Sequence, residues 1–139
     1  MLVSDKKYRE ARSEFQSLVR EFPDNSDVTV AVGLLSLQLN DYDVAYTQLT
    51  RSLDLDYKDP NAVRYYLGQL EEERKHTAEA LKWYGSISGG EQYVPARARY
   101  AALLARDGKL DDARKFLRES VRSPQQQVCL LYTSPSPRD

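Results

Sequence analysis

Cysteine and histidine are nearly missing from this chain of 139 residues, which has one of each. A disulfide framework needs cysteine pairs, and a zinc site needs three or four Cys, His or carboxylate ligands, so both a disulfide scaffold and a Cys/His zinc centre are excluded. Long hydrophobic runs are also missing. No stretch approaches the ~18–20 apolar residues of a membrane-spanning helix, and the opening MLVSDKKYRE holds no apolar segment long enough for a signal peptide. An excess of one charge is absent: 20 Lys+Arg face 21 Asp+Glu, a formal net charge of −1. Nucleic-acid binders carry a basic excess or stripe, and this chain has none. Apolar residues make up 41% of the chain, enough for a core and too many for a disordered acidic tail.

What the chain does have is a period. Ala11, Ala45, Ala80 and Ala113 stand 34, 35 and 33 residues apart. Three positions before each lies Tyr8, Tyr42, Thr77 or Leu110, and four positions after each lies Phe15, Leu49, Tyr84 or Leu117. Upstream, a hydrophobic–small pair recurs as Val32-Gly33, Leu67-Gly68 and Tyr100-Ala101. One such column would be weak, but several at one period define a repeat. The columns also have a physical meaning. Gly33, Gly68 and Ala101 allow two helices of a hairpin to approach closely, the alanine column does so from the second helix, and the large residue one turn on fills the groove beside it.

Local signals place the helices. Asp41 is expected to cap a helix beginning at Tyr42, Asp59-Pro60 reads as N-cap and first helical residue, and Pro95 is expected to open another helix. Gly89-Gly90 and Gly108 read as stops, and Pro23 and Pro124 close second helices. The predicted map is a lone second helix over 5–21, then pairs over 26–39 and 42–55, 61–75 and 77–87, and 95–106 and 110–122.

This pattern resembles the tetratricopeptide repeat (TPR), over about residues 6–123. The resemblance implies an all-α fold, an α-solenoid of antiparallel helical hairpins with about three and a half repeats. The array runs over 5–123, divided into a partial repeat 5–23 and repeats 26–59, 60–93 and 94–123, with 124–128 beginning a further element. Departures from the family pattern include Tyr57 where a proline is usual, the absence of that proline from the third repeat, and Leu18 and Ile87 where the family usually has small residues, which implies wider local packing there. The first helix lacks its hairpin partner, so Tyr8, Phe15 and Val19 pack on the second repeat from one side only. Arrays need polar capping repeats, and the fragment is therefore expected to fray or aggregate.

No catalytic constellation emerges. His76, the lone imidazole, falls at a turn between helices and reads as a solvated turn residue. Gly89-Gly90 is not followed by the Lys-Ser/Thr of a phosphate loop. Glu71, Glu72 and Glu73 occupy successive helix positions about 100° apart, so they cannot converge on one metal or proton. Trp83 and Tyr84 adjoin the alanine column and read as packing residues. No catalytic residue, cofactor or metal is expected.

The TPR resemblance implies binding instead. In that family the concave face is lined by fixed positions of each first helix. Carried over, they are Asp27, Val30, Leu34, Leu37 and Gln38; Ala62, Tyr65, Gln69, Glu72 and Glu73; and Pro95, Ala98, Ala102, Ala105 and Arg106, with Arg99 adjacent. The expected partner-binding set is Val30, Leu34, Gln38, Tyr65, Gln69, Glu72, Arg99 and Arg106. The alternative for Val30 and Leu34, with Leu37, is packing against a preceding first helix. The carboxylate clamp of some TPR chaperone partners needs Lys and Asn at positions held here by Val30/Leu34, Tyr65/Gln69 and Ala98/Ala102, which argues against an acidic C-terminal peptide. The expected function is a scaffold or adaptor for a protein or peptide partner, with no nucleic acid and no direct membrane insertion. The alternatives are a TPR appendage of an enzyme, or a self-associating assembly protein.

Two further resemblances bear on the termini. The run from Val63 to Leu117 is similar to long TPR proteins of Gram-negative bacteria. Some of these are outer-membrane lipoproteins that act as adaptors, recruiting cell-wall hydrolases to a carboxyl-terminal processing protease. That likeness implies a longer parent on the periplasmic side of the outer membrane, the cytoplasm being the alternative. Residues Cys129–Asp139, CLLYTSPSPRD, resemble one translated frame of a common transposase sequencing adapter. On that reading the tail is not native, and the single cysteine belongs to it.

Overall fold

The computed structural model describes residues 2–122, with side chains for residues 5–120. The expectations for 123–139, the adapter-like tail among them, lie outside the described residues. Among the described residues seven helices follow one another: α1 (Leu2–Glu21), α2 (Ser26–Gln38), α3 (Tyr42–Asp54), α4 (Pro60–Glu73), α5 (Thr77–Gly85), α6 (Tyr93–Arg106) and α7 (Leu110–Arg122). Each packs on its chain neighbours, and α2 also packs on α4. The pairs α2–α3, α4–α5 and α6–α7 are the three hairpins, and α1 covers one side of α2.

The turns inside the hairpins repeat as well. Asn40, Lys75 and Gly108 adopt positive φ of 61°, 65° and 81°. In each turn the next residue's N–H reaches back to a carbonyl in the last helical turn: Asp41 to Ser36 at 2.8 Å, His76 to Glu71 at 2.8 Å, and Lys109 to Leu104 at 2.8 Å. These are Schellman closures, which satisfy carbonyls that a helix end leaves unpaired. Asp56 repeats the geometry between hairpins, with φ 59° and a 3.1 Å bond from Tyr57 N–H to Ser52.

The small-residue columns carry the close contacts. A Cβ placed on Gly33 would lie 2.8 Å from Leu49 Cδ2, and one on Gly68 would lie 2.5 Å from Tyr84 Cε1. Leu49 and Tyr84 are the large residues four positions after Ala45 and Ala80, and all four are fully buried. Two core clusters result. One joins Val30, Leu49, Val63 and Leu67, with Leu34, Leu53, Tyr57, Tyr66 and Trp83 packed against it. The other joins Ala80, Tyr84, Ile87, Ala96 and Leu103, flanked by Tyr65, Leu81 and Tyr100. In the last hairpin, Tyr100 stacks on Phe116 with centroids 4.0 Å apart, and the Arg97 guanidinium lies 4.8 Å from both the Tyr93 and the Phe116 rings.

Three local expectations need correction. Helix α6 begins at Tyr93, so Pro95 is its third residue rather than its first; proline is tolerated there because first-turn N–H groups have no helical acceptor. Asp41 precedes α3 without a side-chain capping bond, because Arg12 Nη1 takes its carboxylate at 2.8 Å while also donating to Ser36 Oγ at 3.1 Å. Helix α5 stops at Gly85, and Ile87 lies beyond it with no exposed surface. The bulky side chain there fills the core instead of widening it. Asp59 does cap α4, accepting from Ala62 N–H at 3.3 Å.

Candidate functional site

Helix α4 presents one long stripe to solvent: Ala62, Tyr65, Gln69, Glu72 and Glu73 recur at three- and four-residue spacing. A cleft of about 340 Å³ opens beside its centre, lined by Leu37 and Gln38 of α2, Asn40, Gln69, Glu72 and Glu73 of α4, and Arg99 of α6. Side chains from all three first helices therefore border one cavity. Two neighbouring clefts continue it. One is lined by Ala62, Tyr65, Tyr66, Gln69 and Pro95, among others, and the other by Glu72, Glu73, Lys75, Thr77 and Arg106.

Glu72 is the hub of the stripe. Its carboxylate accepts from the Tyr84 hydroxyl, from α5 behind it, and from Arg99 Nη1 at 3.0 Å, from α6 beside it. Arg99 Nε donates to the Tyr65 hydroxyl at 3.0 Å, and Arg106 Nη2 lies 3.8 Å from the other Glu72 oxygen. Charge-assisted bonds of this kind are stronger than neutral ones. One carboxylate thus links α4 both to its hairpin partner and to the next repeat. Burial, followed by the bond to Glu72 and its charge, pushes the Tyr84 phenol well above its usual range. Burial opposes the charge on Arg99, but the hydrogen bonds and charges of Tyr65, Tyr84 and Glu72 outweigh it and raise its pKa. Tyr42 is raised as well, by burial and then by the adjoining Glu73.

The expected binding set divides. Gln38, Tyr65, Gln69, Glu72, Arg99 and Arg106 all border these clefts. Val30 does not: it is 5% exposed and sits in the core with Leu49, Val63 and Leu67. Leu34 is half-buried against the same cluster. Their apolar side chains pack on α3 and α4, the following elements. Several residues at the site escaped sequence reasoning, among them Asn40, Lys75 and Tyr84. Asn40 and Lys75 are turn residues whose periodic positive φ was not visible, and Tyr84 was assigned wholly to packing although its hydroxyl reaches the site.

The other polar candidates are structural. His76 is half-exposed in its turn as expected, yet its Nδ1 lies 2.9 Å from the buried Glu71 carboxylate. Glu71, Glu72 and Glu73 diverge toward His76, Arg99 and Tyr42 respectively. Among the described residues no group of three His, Cys, Asp or Glu side chains is placed to hold a metal, and no helix is long and apolar enough to cross a membrane.

Stacked hairpins whose first helices share one open cleft define a helical-repeat interaction scaffold. The tetratricopeptide repeat family matches residues 2–60 and again 33–87, and the chain belongs to that family. The TPR repeat-containing protein PA4667 of Pseudomonas aeruginosa is 36% identical over 73 residues, which are 52% of this chain and 12% of that protein. The chain therefore spans a small part of this curated relative. Two solved structures of MamA share the fold. One superposes with a TM-score of 0.75 over 95% of this chain and 70% of its own, at 14% identity; the other with 0.73 over 88% and 71%, at 15%. The TPR fold is in general a non-catalytic interaction module.

Proposed function

We propose that this array receives a segment of a partner protein in the cleft shared by α2, α4 and α6, and acts as a non-catalytic adaptor within a longer bacterial TPR protein. The observation that carries this reading is the convergence of Gln38, Gln69, Glu72 and Arg99, from three helices, on one open cavity. Among the described residues the Gln38 and Gln69 amides have no partner within the chain. Each offers both a donor and an acceptor, the complement of a peptide unit. Arg106, with 71% of its side chain exposed, supplies a cation at the rim. Tyr65 supplies an aromatic face, a residue type enriched at binding hot spots.

Site-specific photo-crosslinking tests the reading. A benzophenone side chain at Gln38 or Gln69 is expected to give a protein adduct, while the same group at the exposed Glu79 or Lys82, on the second helix α5, gives none. Gln38→Ala with Gln69→Ala should then weaken capture without lowering the melting temperature. Adducts of equal yield from both sets of positions would overturn the assignment.

A further inference from the structure

Oxygen acceptors and cations are sorted unevenly along the cleft shared by α2, α4 and α6. Lys75 and Arg106 both line the cavity at the Thr77 end. The central cavity of about 340 Å³ holds a single cation, Arg99. That guanidinium is already committed. Its Nε donates to the Tyr65 hydroxyl and its Nη1 to Glu72, each at 3.0 Å, and it lies 5.8 Å from the centre of the Tyr65 ring. Glu72 is in turn neutralised by Arg99 and, at 3.8 Å, by Arg106.

Glu73 has no such compensation. It lines the same cavity, is exposed, and among the described residues forms no ion pair. Beside it stands the Tyr42 phenol, whose hydroxyl donates to Asn40 Oδ1 at 3.1 Å. Burial and then the charge of Glu73 raise this phenol, as an uncompensated carboxylate does. Asn40, held at φ 61° in its turn, keeps a second lone pair on Oδ1. Gln38 and Gln69 add two amide oxygens to the cavity wall. Gln38 and Glu73 are also the last residues of α2 and α4, so two helix C-termini, each with partial negative charge, end at this cavity.

We propose that the central cavity receives a cationic side chain, a lysine or arginine of the bound segment. The ammonium or guanidinium is held by Glu73, Asn40 Oδ1 and the amide oxygens of Gln38 and Gln69, and its aliphatic stem lies on Leu37. The inference rests on the cleft reading above and adds the charge of the residue that enters it. An acidic side chain would meet Glu73 there, with the one cation of the cavity already bound to Glu72.

The full chain, isotope-labelled, is titrated with N-acetyl-arginine amide and N-acetyl-lysine amide, with the glutamine and glutamate derivatives as neutral and anionic controls. Backbone amide shifts are followed by NMR. The two cations are expected to shift Gln38, Asn40, Gln69 and Glu73 saturably at millimolar concentration, and the controls are not. Glu73→Gln should weaken the cations by at least about fivefold. Asn40→Gly keeps the positive φ and should weaken them by less, and it guards against a folding defect in the first variant. No saturable shift up to about 0.1 M probe, an equal response to the controls, or parent affinity in both variants overturns the inference. Benzophenone adducts at Gln69 that form at parent yield in Glu73→Gln would keep the cleft as a partner site and overturn the cation pocket alone.

Discussion

Tyr84 lies so close to Gly68 that a methyl group on the glycine would come within 2.5 Å of ring atom Cε1. The ring has no exposed surface and its hydroxyl is held by Glu72, so it cannot swing aside. Gly68→Ala is therefore expected to destabilise the array by about 1–3 kcal/mol, despite the ~1 kcal/mol that alanine gains over glycine in helix propensity. Gly33→Ala meets Leu49 Cδ2 and Cγ at 2.8 Å. That contact is with a flexible side chain, and the cost should be smaller. Urea denaturation of the two variants checks the ranking.

The alanine-plus-four column offers a sharper contrast. Leu49 is fully buried and Leu117 is 43% exposed. Leu49→Ala should cost ~2–5 kcal/mol through lost burial and the cavity left behind. Leu117→Ala, made at the equivalent repeat position, should cost less than about 1 kcal/mol. Equal costs would mean that α7 is packed like α3.

Alkaline pH should probe the Tyr84–Glu72 contact. The folded phenol is raised above its unfolded value, so its contribution is fully present below the unfolded pKa of about 10 and is lost as pH rises through the folded pKa. Stability should fall above pH ~10. Spectrophotometric titration of the ten tyrosines should show a group that ionises only as the protein unfolds. Tyr84→Phe should remove that group and cost about 1 kcal/mol at neutral pH.

Arg12 ties α1 to the turn between α2 and α3 through Asp41 and Ser36. Its side chain is 21% exposed and that of Asp41 is 39% exposed, so solvent screening keeps the pair modest, at about 1 kcal/mol or less. Arg12→Ala should raise amide hydrogen exchange in α1 while leaving α4 and α5 protected. Uniform loss of protection would show that α1 unfolds with the whole array.

Much of the architecture was legible in the chain because its contacts are local. Gly33 with Leu49 and Gly68 with Tyr84 are pairs within single hairpins, 16 residues apart, and they recur at a fixed period, so the sequence displays both partners in register. Helix ends were legible where side chains act on their own turn, as Asp59 does on Ala62. They were misread where a distant group intervened, as Arg12 does at Asp41 from 29 residues away.

The candidate site was legible in part. Repeat position picks out Gln38, Gln69 and Glu72 as facing outward, since it measures angle around a helix. It misplaced Val30, because the same angle becomes core when the next first helix crosses above it.

What the sequence determined by itself is the periodic unit: a small residue, a large one a turn beyond the facing alanine, and the turns that fold one helix onto the next. Short-range sterics and hydrogen bonding are enough to specify that unit. What only the tertiary structure decided is which polar side chains meet: that Arg99 of the next repeat reaches across 27 residues of sequence to Glu72, and that Tyr84, from the same hairpin, sends its hydroxyl to the same carboxylate. Those outcomes depend on how helices cross, within a hairpin and between repeats. A shift of an ångström or two there makes or breaks a hydrogen bond, and no periodic column records it.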